Sequence, residues 1–248
     1  MPKLNDPSLD TKQLTGSHYG YSATTLENLG ATEYTLATIL VDVSGSVSGF
    51  KSALEKCIKS IVDACKNSPR ADNLLIRLIA FSDDIEEIHG FKMLDNCNTD
   101  DYNNILNIHG STSLFDASRN AILATNDYAK SLYDNDFSVN GIIFIVTDGG
   151  DTTNTPASKV GEAINQCKLD EKLESFVSIL VGVGVGQYST TSQNLTDFQK
   201  NAGLDKYEEI DNTDASTFTK LADFVSKSIS AQSQSLGGLS SSQPILDI

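Results

Sequence analysis

What this chain has little of narrows its chemistry first. Positive charge is scarce: 18 Lys and Arg stand against 33 Asp and Glu, a formal net charge of −15. Such an excess repels a nucleic-acid backbone and an anionic membrane surface, which excludes both as general partners. No apolar run approaches the roughly 20 residues that a spanning helix needs, and the opening residues, MPKLNDPSLD, lack a basic stretch followed by an apolar core. With neither a span nor a leader, a cytoplasmic protein is expected. Cysteine is sparse, and Cys57, Cys65, Cys97 and Cys167 never form a CxxC pair, so neither a zinc knuckle nor a redox motif is present. Cys57 and Cys65 share one apolar helical stripe, where a thiol behaves as a small hydrophobe. His18, His89 and His109 are too scattered for zinc ligation, and a surface or loop position is expected for each.

What is present is enough for a core, since 39% of the 248 residues are hydrophobic and 21% charged, a length that suits one α/β domain with appendages. Residues 1–33 are polar, show no sustained period and read as an N-terminal extension. From Tyr34 the pattern changes to an apolar run, Leu36 to Val43, as expected of a strand buried on both faces. Phe50, Leu54, Cys57, Ile58, Ile61 and Cys65 then recur at helical spacing. Leu74 to Phe81 is a second strand, interrupted by Arg77. The short turn Ser82-Asp83-Asp84 leads into a third, Ile85 to Phe91, which must run antiparallel to it. Beyond these come a helical stripe from Leu114 to Leu132, the strand Gly141 to Val146, a helix ending near Cys167 and the strand Phe176 to Val183. A helix from Leu195 to Ala202, a short strand from Tyr207 to Ile210 and a helix from Phe218 to Ile229 follow.

Strands alternating with helices imply a doubly wound, mostly parallel sheet over residues 34–230, with one antiparallel edge strand and helices on both faces. Residues 231–248 are rich in Ser, Gln and Gly and read as a flexible tail, whose apolar tip, Pro244 to Ile248, is either a frayed end or a short docking peptide.

In such a sheet, ligands collect beyond the carboxyl ends of the strands, where the chain switches direction. Three segments fall there: Asp42-Val43-Ser44-Gly45-Ser46, Gly110-Ser111-Thr112-Ser113-Leu114 and Thr147-Asp148-Gly149. They offer oxygen ligands and no nitrogen or sulfur, a set suited to Mg²⁺, with Mn²⁺ next. Residues at i, i+2 and i+4 of an extended stretch project to one side, so Asp42, Ser44 and Ser46 can converge, with Thr112 and Asp148 approaching from neighbouring loops. Only two of the five carry charge, so a cation held there keeps its appetite for an outside carboxylate. The bland alternative is that Ser46 or Ser48 merely caps the helix that begins near Phe50.

DVSGSVS after a buried strand, GSTSL before a helix and TDG after another buried strand resemble the metal-ion-dependent adhesion site (MIDAS) of the von Willebrand factor A domain family. The resemblance implies a Rossmann-like fold. It also implies that Ser44, Ser46 and Thr112 coordinate the metal directly or through water, while Asp42 and Asp148 hold it mainly through bound waters. A partner protein's Glu or Asp then supplies the last ligand. Stand-alone intracellular members work with AAA+ ATPases of the MoxR type or in stress-resistance systems, so a protein-interaction module and not an enzyme is expected. The rivals are a metal-dependent phosphohydrolase and a structural subunit whose ion only orders the loops. Against the first, the site loops contain no Lys or Arg, and the first loop has serines where an aspartyl nucleophile belongs. Ser44 or Ser46 as a nucleophile is disfavoured because there is no GxSxG elbow and no histidine is expected near the end of a central strand to serve as base.

Weaker features have plainer readings. Gly182-Val183-Gly184-Val185-Gly186 lacks the GxGxxG spacing of a dinucleotide loop and reads as a strand end needing small residues. Asp83, Asp84, Glu86 and Glu87 read as a solvated edge that discourages strand addition; Asp151, close behind Asp148, reads as a plain loop residue, the alternative being one that tunes the site or contacts a partner.

Overall fold

The computed structural model of the chain describes residues 2–4, 6–15 and 17–235. Its strands are β1 (Leu9–Gln13), β2 (Gly20–Thr24), β3 (Glu33–Asp42), β4 (Leu74–Phe81), β5 (Ile85–Met93), β6 (Ser138–Thr147), β7 (Ser175–Val183) and β8 (Lys206–Ile210). The helices are α1 (Lys51–Lys66), α2 (Leu114–Tyr133), α3 (Ser158–Leu169), α4 (Ser189–Ala202) and α5 (Ala215–Gln234). All strands join one mixed sheet in the order β1-β2-β5-β4-β3-β6-β7-β8.

β3 lies at the centre, parallel to β4 on one side and β6 on the other. From Tyr34 on, every residue of β3 is buried, which is why its sequence is a continuous apolar run. Ala37, Ile39 and Val41 face α1 and α5, meeting Leu54, Ile58 and Val225, whereas Leu40, with Ile143 and Ile145 of β6, faces α2, α3 and α4. The chain leaves β3 toward β4 but returns on the opposite side as β6, so the crevice at the carboxyl ends opens between Asp42 and Thr147. All four cysteines are unpaired and buried.

The sheet extends further than the residue pattern suggests. β5 is antiparallel to β4 but is not an edge, because the stretch expected as a polar extension supplies the antiparallel pair β1 and β2, and β2 docks in parallel on β5 at Ala23 and Phe91. Only Tyr21 and Ala23 of β2 are apolar, too few to register as a period; they bury against Phe91 and Tyr128. Gly90 permits the approach, since a Cβ there would lie 1.9 Å from the Ser22 carbonyl oxygen.

Glu87, expected to be solvated, closes this seam. Its carboxylate accepts from the Ser22 amide at 3.0 Å and the Ser22 hydroxyl at 2.8 Å, and it pairs with Arg77 at 2.7 Å. Arg77 is 1% exposed and lies beside the rings of Tyr21 and Phe91, 5.8 and 5.7 Å from their centroids.

Two further expectations are corrected. His89 is fully buried, its Nε2 3.0 Å from the Tyr102 hydroxyl and its Nδ1 2.9 Å from the Gly90 carbonyl. Residues 231–234 belong to α5, where the Gln232 side chain donates to Ser175 Oγ at 2.7 Å and the Gln232 backbone carbonyl accepts from the Asn140 side chain at 2.9 Å, anchoring the polar end of the helix to the sheet. The tail tip, Pro244 to Ile248, lies outside the described residues.

Candidate metal centre

β3 ends in Asp42, 1% exposed between β4 and β6. One carboxylate oxygen accepts from the Ser44 amide at 2.8 Å, a local turn that Asp side chains favour, and the other accepts from the Thr147 hydroxyl at 2.6 Å. The turn carries the chain into a short 3₁₀ segment, Gly45–Gly49, before α1. The Ser44 and Ser46 hydroxyls lie 3.1 Å apart, and Ser46 donates to Asp148 Oδ1 at 2.8 Å. Asp42, Ser44, Ser46 and Asp148 therefore form one chain of contacts across the crevice. Neither Ser46 nor Ser48 caps α1, whose N-cap is Phe50, with no side-chain capping bond.

Thr112, 6% exposed, is brought to this chain by its backbone. Gly45 N–H donates to the Gly110 carbonyl at 3.1 Å and His109 N–H to the Val43 carbonyl at 2.9 Å, which stitches the Thr112 loop to the first loop. On the far side the Thr112 amide donates to Thr152 Oγ1 at 3.0 Å, while the Thr152 amide donates back to the Thr112 carbonyl at 2.9 Å. Gly110 has φ +70°, and a Cβ there would collide with the Asp83 carboxylate, which accepts from the Ser111 amide at 2.8 Å and from the Ser111 hydroxyl. Asp83 is thus a brace for the loop and not an edge charge. Asp151 has a similar duty, accepting from the Phe115 amide at 3.0 Å in the first turn of α2.

Thr147, Thr152 and Asp83 are the site-building residues that motif reading overlooked. Thr147 adjoins the recognised Asp148, but its contact with Asp42 depends on the β3–β6 register, which no local pattern displays. His109 has the exposed loop position expected of it, but it is nearer a strand end than expected. It lies beside the end of β4, where its Nε2 is 2.9 Å from Ser82 Oγ and its Nδ1 3.0 Å from the Asn107 carbonyl. Ser82 is 1% exposed, so this pair is closed to a substrate, and Asp84 approaches the same nitrogen as the serine, 3.8 Å away, leaving the other ring nitrogen without a carboxylate.

The electrostatics fit a cation. Burial pushes Asp42 up to about 6, opposed by the Thr147 and Ser44 hydrogen bonds and reinforced by Asp148, and burial also raises Asp148. Two carboxylates whose ionised forms are disfavoured by desolvation, Asp42 also by its acidic neighbour, are relieved by a divalent ion among them. Ser113, beside Thr112, adds a buried hydroxyl with no partner. Among the described residues no three or more His, Cys, Asp and Glu are placed so that they alone could hold a metal ion, so a cation here must rely on hydroxyls as well as carboxylates, the ligand class of hard ions. Among the same residues no helix is long and apolar enough to cross a membrane.

The model of the von Willebrand factor type A domain matches residues 38–232. No curated protein matches the chain by sequence. Solved structures with a similar fold include the PilB minor pilin from Streptococcus sanguinis, at 17% identity and a TM-score of 0.62, covering 88% of this chain and 66% of that one. The pilus adhesin SpaC from Lactobacillus rhamnosus GG in an open conformation is 14% identical with a TM-score of 0.56, covering 93% and 35% respectively. Proximal thread matrix protein 1 from the mussel byssus, with a zinc-occupied MIDAS motif, is 16% identical with a TM-score of 0.53, covering 82% and 46%. The chain spans about half the length of the thread-matrix structures. At these identities the likeness is one of fold.

Proposed function

The chain belongs to the von Willebrand factor type A domain family, a family of protein-interaction modules, and from that premise we propose that it binds a partner protein through a divalent cation. In this reading Asp42, Ser44, Ser46, Thr112 and Asp148 hold Mg²⁺ or Mn²⁺, and an exposed Glu or Asp of the partner completes the coordination. The observation that carries it is the continuous contact from Asp42 through Ser44 and Ser46 to Asp148, with the Thr112 loop pinned alongside. The zinc-occupied MIDAS of the thread-matrix neighbour supports metal binding at this place in the fold. An ion held by hydroxyls, water and two carboxylates stays electron-poor, which favours a further anionic ligand.

A binding role is favoured over phosphoryl transfer because both oxygens of Asp42 are already engaged and no Lys or Arg lies in the site loops. The buried, unpaired thiols support a reducing compartment, the cytoplasm. An AAA+ ATPase is one partner that the family suggests, and its capture in Mg²⁺ with release by chelator tests that extension.

The central experiment is a thermal melt with Mg²⁺ or chelator, on the wild type and on Thr112→Ala. A ligand present at 100 times its Kd stabilises the folded state by about 2.7 kcal/mol, so millimolar Mg²⁺ should raise the midpoint of the wild type and barely move the variant. Equal midpoints for the wild type with and without Mg²⁺ would remove the metal from the reading. A structural subunit is distinguished by its stabilisation without any chelator-sensitive capture of acidic partners.

A further inference from the structure

Beside the metal centre a cavity of about 270 Å³ opens between the start of α2 and the middle of α4. Gly150 and Asp151, which line it, follow Asp148 closely in the chain, and Leu114 follows Thr112 by two residues, so the cavity shares two of its walls with the metal centre. Its floor is apolar: Leu195 and Phe198 are buried, and the Phe115 ring is half-buried with its centroid 4.5 Å from that of Phe198. Its rim carries the carboxylates of Asp151 and Asp197 with the amide of Asn194, and among the described residues that line it none is cationic.

An aromatic and aliphatic floor beneath a rim of carboxylates matches one kind of protein side chain, a long aliphatic stem ending in a cation, which buries its methylenes and keeps its head at the rim. The face of an aromatic ring also attracts such a head. We infer that this cavity takes a Lys or Arg side chain of the same partner whose acidic residue reaches the metal, so that the partner is recognised by an acid and a base at fixed spacing. The inference rests on the metal-centre reading and adds to it the second recognition element.

The spacing follows from the chain. Asp151 is three residues beyond Asp148, and a chain spans at most about 3.6 Å per residue, so the two α-carbons lie within about 11 Å. In an extended partner, residues two apart project to the same side about 7 Å from one another. The Lys or Arg should therefore stand two or four positions from the acid, always on the same side of it in sequence. A protein of net charge −15 attracts basic peptides in general, but that attraction has no preferred position and is screened by salt beyond about 8 Å at physiological ionic strength.

The test is a displayed library of random peptides around one fixed Asp or Glu, bound in Mg²⁺ at physiological salt and eluted with chelator. It is run on the wild type, on Asp197→Lys and on Asp148→Ala. Asp197 is exposed on α4 and bonds only to Gln193 among the described contacts, so its replacement leaves the core intact. Wild-type eluates should be enriched in Lys or Arg at one position two or four residues from the acid, and Asp197→Lys should reduce capture of a synthetic peptide of that sequence by about 5-fold, as loss of a charge contact with partial burial implies. Eluates rich in acid but without a positioned base would overturn the inference and leave the metal centre standing. So would basic enrichment spread over all positions, or equal enrichment with Asp197→Lys. Eluates from the wild type no richer than those from Asp148→Ala would overturn the metal-centre reading and this inference with it.

Discussion

Replacing Asp42 by Asn should make the metal-free protein more stable while abolishing its response to Mg²⁺. The reason is the cost of an ionised carboxylate at 1% exposure, which raises Asp42 from 3.8 to about 6, chiefly through desolvation. For an acid with a raised folded value the folded state holds the proton over a range in which the unfolded state has lost it. The group therefore takes stability away as pH rises from 3.8 to about 6, and the full loss persists at pH 7. At 1.36 kcal/mol per unit this amounts to about 3 kcal/mol in the absence of a cation.

The carboxamide introduced by Asp42→Asn carries no charge, its oxygen can still accept from the Ser44 amide, and the Thr147 hydroxyl can turn to accept from the new NH₂ group. Allowing for imperfect replacement of these bonds, the gain should be about 1–3 kcal/mol, or about 2–10 °C in Tm for a chain of this size. Melts of both proteins in chelator and in Mg²⁺ check it: the variant should melt above the wild type in chelator, and only the wild type should move on adding Mg²⁺. A variant that melts below the wild type in chelator would refute the account of Asp42 as a residue held in an unfavourable charge state for the sake of a cation.

Two other perturbations test the surroundings of the site. Glu87→Gln keeps the shape of the seam between β2 and β5 but leaves Arg77 without its countercharge, one guanidinium nitrogen of which already lacks a partner; this should cost about 3–5 kcal/mol in urea unfolding, and Arg77→Met in the same chain should recover part of it. His89, lowered from 6.5 to about 4 by burial, is held neutral in the fold, so the unfolded state binds the extra proton between those values and stability should fall by about 3 kcal/mol as pH drops from 6.5 toward 4. His89→Gln should flatten that part of the pH profile. An unaltered slope would assign it to other groups, and the opposite trend from Asp42 is isolated by the same comparison with Asp42→Asn.

What the sequence displays and what it conceals divide along a physical line. β3 and β6 are legible because a strand covered on both faces must be apolar throughout, and α1 because its buried stripe repeats every turn. The loops carrying Asp42, Ser44, Ser46, Thr112 and Asp148 are legible because each follows such a strand or precedes such a helix. β1 and β2 are not, since a five-residue strand held by Tyr21, Ala23 and a distant carboxylate presents no period.

The acidic run from Asp83 to Glu87 shows why charge alone misleads. Asp83 braces the Thr112 loop through Ser111, Asp84 is an exposed neighbour of His109, and Glu87 neutralises Arg77 and accepts from β2. Burial of a charge depends on whether another element supplies its partner, and that element can lie anywhere in the chain: Ser22 is 65 residues from Glu87. The same logic separates Asp42 from Glu87. Both are acids at low exposure, but Glu87 has a guanidinium at 2.7 Å, whereas Asp42 is met by hydroxyls, an amide and a second carboxylate. A buried acid that the protein itself does not neutralise is where a positive charge from outside gains most, and in this fold that place is the carboxyl end of the central strand.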